Sequence, residues 1–89
     1  MNTIPFYYIM TFPTTAAAME AEKYTKQFFH ITIMPTPREI SAGCGLAIRF
    51  MEPNEEAIVE FSKTAPFDGT LYKLYTHKEN GRHPIEKIA

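Results

Sequence analysis

The sequence has little of what most chemical sites are built from: one cysteine, three histidines and no tryptophan in 89 residues. One cysteine excludes an internal disulfide, and one cysteine with dispersed histidines does not have the spacing of a structural zinc site. We therefore expect a free thiol in a reducing compartment, with no metal and no cofactor.

Long apolar runs and an excess of one charge are also missing. No stretch approaches the roughly 18 apolar residues of a membrane span, and residues 1–12 lack the basic start and long apolar centre of a signal peptide. Nine Lys and Arg residues nearly balance ten Asp and Glu residues, so nothing would attract a polyanion. The sequence predicts a cytoplasmic protein that binds neither nucleic acid nor membrane.

The sequence does have the composition of a folded protein, with 45% hydrophobic and 13% aromatic residues. A chain of this length encloses one modest core and buries roughly 60–65 per cent of its unfolded surface. We expect a single domain over residues 1–89, with 78–89 as a turn-rich C-terminal tail. A deep active site walled by protein is not expected.

The hydrophobic pattern predicts the order β-α-β-β-α-β. Strands are expected at residues 4–12, 31–34, 45–50 and 70–76, and helices at 16–29 and from Pro53 to just before Pro66. Right-handed crossovers would place both helices on one face of a four-stranded sheet, a ferredoxin-like α+β architecture. Asn80-Gly81 and Pro84 mark turns in the tail, where Ile85 and Ile88 are candidates for a short helical turn.

One predicted loop surrounds the thiol. Pro35 and Pro37 restrict the backbone on approach, and Gly43 and Gly45 flank Cys44 and allow the chain to turn there. Glycine weakens a strand and fills no core, so this pattern favours a displayed thiol. The alternative, a small hydrophobic Cys44 packed at the start of a strand, stays open.

Only the thiolate is a good nucleophile, so activation of Cys44 requires positive charge or converging backbone N–H groups. Arg38 and Arg49 are candidates for the charge, and Ser41 and Gly43 have small side chains that let backbone amides point at an anion. Each arginine has the alternative interpretation of a solvated charge at a strand edge. We interpret the histidines as surface or helix-end residues rather than catalytic bases.

The run Pro37-Arg38-Glu39-Ile40-Ser41-Ala42-Gly43-Cys44-Gly45-Leu46-Ala47-Ile48-Arg49-Phe50 resembles a small family of bacterial Se/S carrier-like domains. Tyr8-Ile9-Met10-Thr11-Phe12-Pro13-Thr14-Thr15 and Ala18-Met19 extend the similarity, which covers about residues 8–75. The resemblance implies that Cys44 bears a persulfide or selenopersulfide. It also implies that the surrounding loop, including Arg38, Ser41, Gly43, Gly45 and Arg49, holds and presents that group.

The leading hypothesis is a carrier that accepts sulfur or selenium at Cys44 from a donor such as a cysteine desulfurase and passes it to an unknown acceptor protein. Transfer between thiols needs an accessible thiolate and a docking surface, without a deep pocket. The alternative is a noncatalytic protein-interaction or thiol redox-sensing module. A Cys-dependent hydrolase ranks last, because no positioned histidine base is recognisable.

Overall fold

The computed structural model describes residues 6–40, 45–52 and 54–88, which form five strands and two helices. The strands are β1 (Phe6–Thr11), β2 (Ile31–Pro35), β3 (Leu46–Phe50), β4 (Thr70–Tyr75) and β5 (Ile85–Lys87). They make one antiparallel sheet in the order β2-β3-β1-β4-β5. The α+β class predicted from the sequence is therefore confirmed.

The two helices, α1 (Thr15–Thr25) and α2 (Glu55–Thr64), begin at side-chain caps. The Thr14 hydroxyl accepts a hydrogen bond from the Ala17 N–H at 3.0 Å, and the Asn54 side chain accepts one from the Ala57 N–H at 3.2 Å. Each cap satisfies an N–H group that has no partner within its helix. Pro53, which we expected in the first turn of α2, lies outside the described residues. Neither helix of the described chain is long and apolar enough to cross a membrane.

The main core lies between the helices and one face of the sheet. Alternate residues of the strands point to this face, because successive side chains of a strand alternate between its two sides. The fully buried cluster is formed by Tyr8, Met10, Ala21, Ile48, Phe50, Ile58 and Leu71. Both helices contribute to it, and Tyr24 of α1 stacks on Phe61 of α2 with ring centroids 5.9 Å apart. The helices therefore cover the same face.

The opposite face of the sheet is also buried at its centre. Ile9, Ala47 and Leu74 point to this side and are 0%, 0% and 2% exposed. Residues 36–40, which follow β2, reach the connection between β4 and β5, where Glu39 accepts a hydrogen bond from the backbone N–H of His83. Because β2 and β5 are opposite edges of the sheet, this contact links the chain that follows β2 to the connection that precedes the opposite edge strand. We call residues 36–40 the crossing segment.

The predicted count of four strands is wrong, because part of the expected tail pairs with β4. In β5, Ile85 lies opposite Leu74 and Lys87 lies opposite Tyr72. Backbone hydrogen bonds flank the pairing, from the Tyr75 N–H to the Pro84 carbonyl at 2.9 Å and from the Ile88 N–H to the Leu71 carbonyl at 2.9 Å. Residues 85–87 therefore extend the sheet, and Ile85 and Ile88 do not form the short helical turn considered from the sequence.

Candidate functional site

The loop that contains the cysteine is closed at its base by Thr36 and Gly45. The Thr36 N–H donates to the Gly45 carbonyl at 3.0 Å, directly beyond the last pair of the β2–β3 ladder. A Cβ added to Gly45 would lie 3.3 Å from the Thr36 Oγ1, so glycine suits this close approach. Ser41, Gly43 and Cys44 lie outside the described residues, and their roles stay predictions.

The crossing segment is attached to the β4–β5 connection through Glu39. Its Oε2 accepts a hydrogen bond from the His83 N–H at 3.1 Å. This N–H, followed by the backbone N–H of Glu39 itself, holds the pKa of the Glu39 carboxyl below its ordinary value. The hydrogen bond from His83 thus favours the charged form of the Glu39 carboxyl.

His83 is itself held in place by the hairpin that carries it. Its Nδ1 lies 3.0 Å from the Tyr75 carbonyl oxygen and 3.2 Å from the His77 carbonyl oxygen. The hairpin turns at Asn80 and Gly81, which have φ angles of 54° and 80°. This left-handed backbone is the conformation that an Asn-Gly hairpin turn adopts. The N–H that meets Glu39 therefore belongs to a well-defined turn.

The structure places the two candidate arginines in different environments. Arg38 is exposed and lines a groove together with Glu39, Gly81 and Arg82. Arg49 is half-buried on the face of the sheet opposite the helices, with its guanidinium carbon 4.1 Å from the centroid of the Tyr7 ring. Its Nε is buried and has no hydrogen-bond partner among the described residues. Arg49 thus has a packing role on Tyr7 that the sequence pattern did not reveal.

Arg49 also lies well away from the base of the loop. It follows Gly45 by four positions, and the strand between them rises about 3.3 Å per residue, so their Cα atoms are about 13 Å apart. Arg38 belongs to the crossing segment. Of the two arginines, Arg38 is therefore the one that shares the loop with Cys44.

The histidines occupy positions that fit the interpretation made from the sequence. His30 and His77 are exposed, and His77 Nε2 lies 2.9 Å from Glu79 Oε2. His83 is partly buried and serves the hairpin. Within the described ranges, no three His, Asp or Glu side chains come together in a group that could hold a metal ion.

Sequence reasoning missed the hairpin that receives Glu39, although the sequence contains a signal for it. Asn80-Gly81 is the strongest short-range hairpin pattern when strand residues flank it. The residues after the turn are too few and too mixed to show a period of their own, so we assigned them to the tail. The contact between Glu39 and His83 joins residues 44 positions apart and leaves no sequence signal.

A protein-family model matches residues 7–70 of this chain. This region includes the crossing segment, the loop with Cys44 and all of β3. Neither the curated proteins nor the solved structures give a match. Because the family match covers more than half of the chain and agrees with the resemblance seen in the sequence, this chain belongs to the family described as "Putative Se/S carrier protein-like".

Proposed function

We propose that this chain carries sulfur or selenium on Cys44 and relays it from a donor protein to an acceptor protein. The observation that carries the proposal is the family match, which spans residues 7–70 and therefore includes the only cysteine of the sequence. A carrier named for selenium and sulfur needs a nucleophile for those elements, and a thiolate is the side chain suited to that chemistry.

The described chain supports the proposal because it is held on both sides of residues 41–44. Before them, Glu39 is bound to His83, and the Ile40 N–H donates to the Pro37 carbonyl at 3.0 Å. After them, Gly45 is bound to Thr36 and leads directly into β3. Anchors of this kind are expected in a loop that presents one group to other proteins, since a presented group must be supported by rigid elements.

The chemistry requires no oxidant. The Cys44 thiolate attacks the outer sulfur of a persulfide on the donor, the donor S–S bond breaks, and the donor leaves as its thiolate. The sulfur now forms a persulfide on Cys44. In the second half, a nucleophile of the acceptor attacks the outer sulfur, and Cys44 leaves as a thiolate. Selenium transfer follows the same two steps, with a selenopersulfide in place of the persulfide.

Several finer assignments belong to the proposal. Arg38, Ser41, Gly43, Gly45 and Arg49 are the supporting residues of the loop. A cysteine desulfurase is the class of donor that supplies a persulfide, and such a donor is expected in the cytoplasm. The β1–β4 portion with its two helices corresponds to a ferredoxin-like arrangement, to which β5 is added at the edge.

The test is loading by a cysteine desulfurase with free cysteine, followed by intact-mass measurement. The wild type is expected to gain one sulfur atom, to release it to a reductant, and to lose this capacity on Cys44→Ser. The matched control is Cys44→Ser combined with Thr32→Cys, which places a thiol at an exposed position of β2. This control is expected to load poorly, because a carrier is selected by its loop and not by the presence of a thiol.

Stability separates the carrier from the alternative of a structural cysteine. If Cys44 serves transfer, Cys44→Ser should change the free energy of unfolding by less than about 1 kcal/mol. A buried sulfur would instead leave the serine hydroxyl without a partner, at a cost of about 1–3 kcal/mol. That larger loss, or a wild type that takes up no sulfane sulfur from a competent donor, contradicts the proposal.

A further inference from the structure

Glu39 is the one acidic residue in the run that identifies the family, and its place is unexpected. From charge alone, a carboxylate five positions before Cys44 opposes formation of a thiolate. The structure shows that the carboxylate faces the β4–β5 hairpin, where it accepts the His83 N–H at 3.1 Å. The position of Glu39 therefore calls for an explanation other than activation of the thiol.

The hairpin is built to offer a fixed donor to this carboxylate. Backbone hydrogen bonds run in both directions between Glu79 and Arg82, at 2.7 and 3.0 Å, and close the Asn80-Gly81 turn. The His83 ring is held by two backbone carbonyls, as described above. Because these contacts hold the donor in place, a hydrogen bond to it fixes the acceptor, and through the acceptor the chain that carries it.

The contact between Glu39 and His83 also links the crossing segment to the hairpin. It is a side-chain hydrogen bond between Glu39 and the backbone N–H of His83, at 3.1 Å. It joins the end of the crossing segment to the far edge of the sheet, whereas the base of the loop is joined to β3 through Thr36 and Gly45. The chain that enters the cysteine loop is thus fixed at two separated points.

From this arrangement we infer that Glu39 is a positioning residue for Cys44, which holds the entry to the cysteine loop on the β4–β5 hairpin so that donor and acceptor proteins meet the loop in one orientation. The inference rests on the proposed carrier function. It assigns β5 and its hairpin, which lie beyond the family match, a part in the transfer reaction.

The first measurement tests the contact itself by amide hydrogen exchange. Glu39→Ala removes the acceptor, so the amides of His83, Ile40 and Thr36 should exchange faster than in the wild type. Glu39→Gln keeps an acceptor oxygen and should restore most of the protection. The matched control is Glu52→Ala, because Glu52 Oε1 accepts the His30 N–H at 3.0 Å in the same way at a distant site. This control should affect exchange at His30 and leave the cysteine loop unchanged.

The second measurement tests positioning by comparing two reactions of Cys44. Loading by the desulfurase should slow roughly five- to tenfold in Glu39→Ala, the factor that one hydrogen bond of ordinary strength contributes. Glu39→Gln should restore most of the wild-type loading rate. Alkylation by a small reagent needs no docked partner and should change less than about twofold. Equal slowing of both reactions would overturn the positioning role, because it would assign Glu39 to the chemistry of the thiol.

Two further outcomes are distinguishable. Unchanged exchange in Glu39→Ala, or faster exchange with unchanged loading, overturns the inference while the carrier function stands. A wild type that accepts no sulfur contradicts the proposed function and the positioning role with it, and the exchange data then still decide whether Glu39 holds the loop.

Discussion

The Tyr8 hydroxyl donates a hydrogen bond to Glu55 Oε1 at 2.7 Å and thereby ties the first turn of α2 to the central strand of the sheet. Lys73, which is paired with Tyr8 across β1 and β4, lies 3.2 Å from the same carboxylate oxygen. Tyr8 is 2% exposed, so its hydroxyl depends on Glu55 for a partner. Burial, followed by this hydrogen bond, raises the pKa of Tyr8 above its ordinary value.

The first prediction is that Tyr8→Phe lowers the free energy of unfolding by about 1.5–3 kcal/mol, the range for a hydrogen bond to a charged group. Denaturant unfolding followed by circular dichroism measures the change. Tyr75→Phe is the matched control, because the Tyr75 hydroxyl lies 3.4 Å from Glu86 Oε1 at an exposed site and should contribute less than about 0.5 kcal/mol. Equal losses in the two variants would contradict a special role for the Tyr8 contact.

The second prediction concerns pH. The hydrogen bond from Tyr8, then the one from Lys73, lowers the pKa of Glu55 from its ordinary value of 4.5. A carboxyl group whose pKa is lower in the folded state stabilises that state at pH values above its unfolded-state pKa. This stability is lost as the pH falls through the folded-state pKa. The difference in unfolding free energy between wild type and Tyr8→Phe should therefore be constant near neutral pH and shrink in acid. A difference that grows below pH 4.5 would reverse the sign of this argument.

The elements that the sequence predicted well are those whose pattern is local. Leu46, Ile48 and Phe50 alternate with Ala47 and Arg49, and the structure makes β3 from these residues. In β4, Leu71 and Leu74 belong to opposite faces of the strand by the same alternation, and both are buried. Such strands are specified by their own residues, since the period of two fixes which side chains share a face.

The elements that the sequence predicted poorly depend on distant partners. α1 ends at Thr25 rather than at Phe29, because the chain tightens into a turn in which the Phe28 N–H donates to the Thr25 carbonyl at 2.9 Å. Phe28, which a helix continuing to Phe29 would place on the same face as Ala21 and Tyr24, is 57% exposed. β5 exists because β4 offers it an edge, and three residues are too few to show a period.

The third prediction uses Gly69, which precedes β4. A Cβ at this position would lie 2.7 Å from Met10 Sδ and 3.0 Å from Phe12 Cε1, and Met10 is buried and has little room to move. Gly69→Ala should therefore destabilise the protein by about 1–3 kcal/mol through overpacking. Gly45→Ala is the control, because among the described residues its Cβ would meet only the Thr36 hydroxyl, at 3.3 Å. Thermal unfolding of the two variants gives the comparison.

A result in which Gly45→Ala is the more destabilising of the two would contradict this ranking. It would mean that an added methyl group is accommodated less easily at the base of the cysteine loop than beside the buried Met10 side chain. The ranking follows from the packed interior, where side chains are held by neighbours on all sides and a new methyl group displaces them at a cost.

The last prediction separates the roles of Arg38 and Arg49 by the pH profile of Cys44 alkylation. Arg38 belongs to the crossing segment, whereas Arg49 lies about 13 Å from Gly45 along β3, beyond the roughly 8–10 Å over which charges act at physiological salt. Arg38→Gln should move the alkylation midpoint to higher pH, because it removes the cation that shares the loop with the thiolate.

Arg49→Gln should leave the alkylation midpoint nearly unchanged and lower stability instead. Its guanidinium is stacked on Tyr7 at 4.1 Å, and a partly desolvated cation–π contact contributes about 1–2 kcal/mol. Because the midpoint is taken from the shape of the pH profile and not from the absolute rate, a difference in midpoint reports the charge and not reagent access. If Arg49→Gln moves the midpoint as far as Arg38→Gln does, the Arg49 guanidinium must leave Tyr7 to act on the sulfur, and the packing role assigned to it here is wrong.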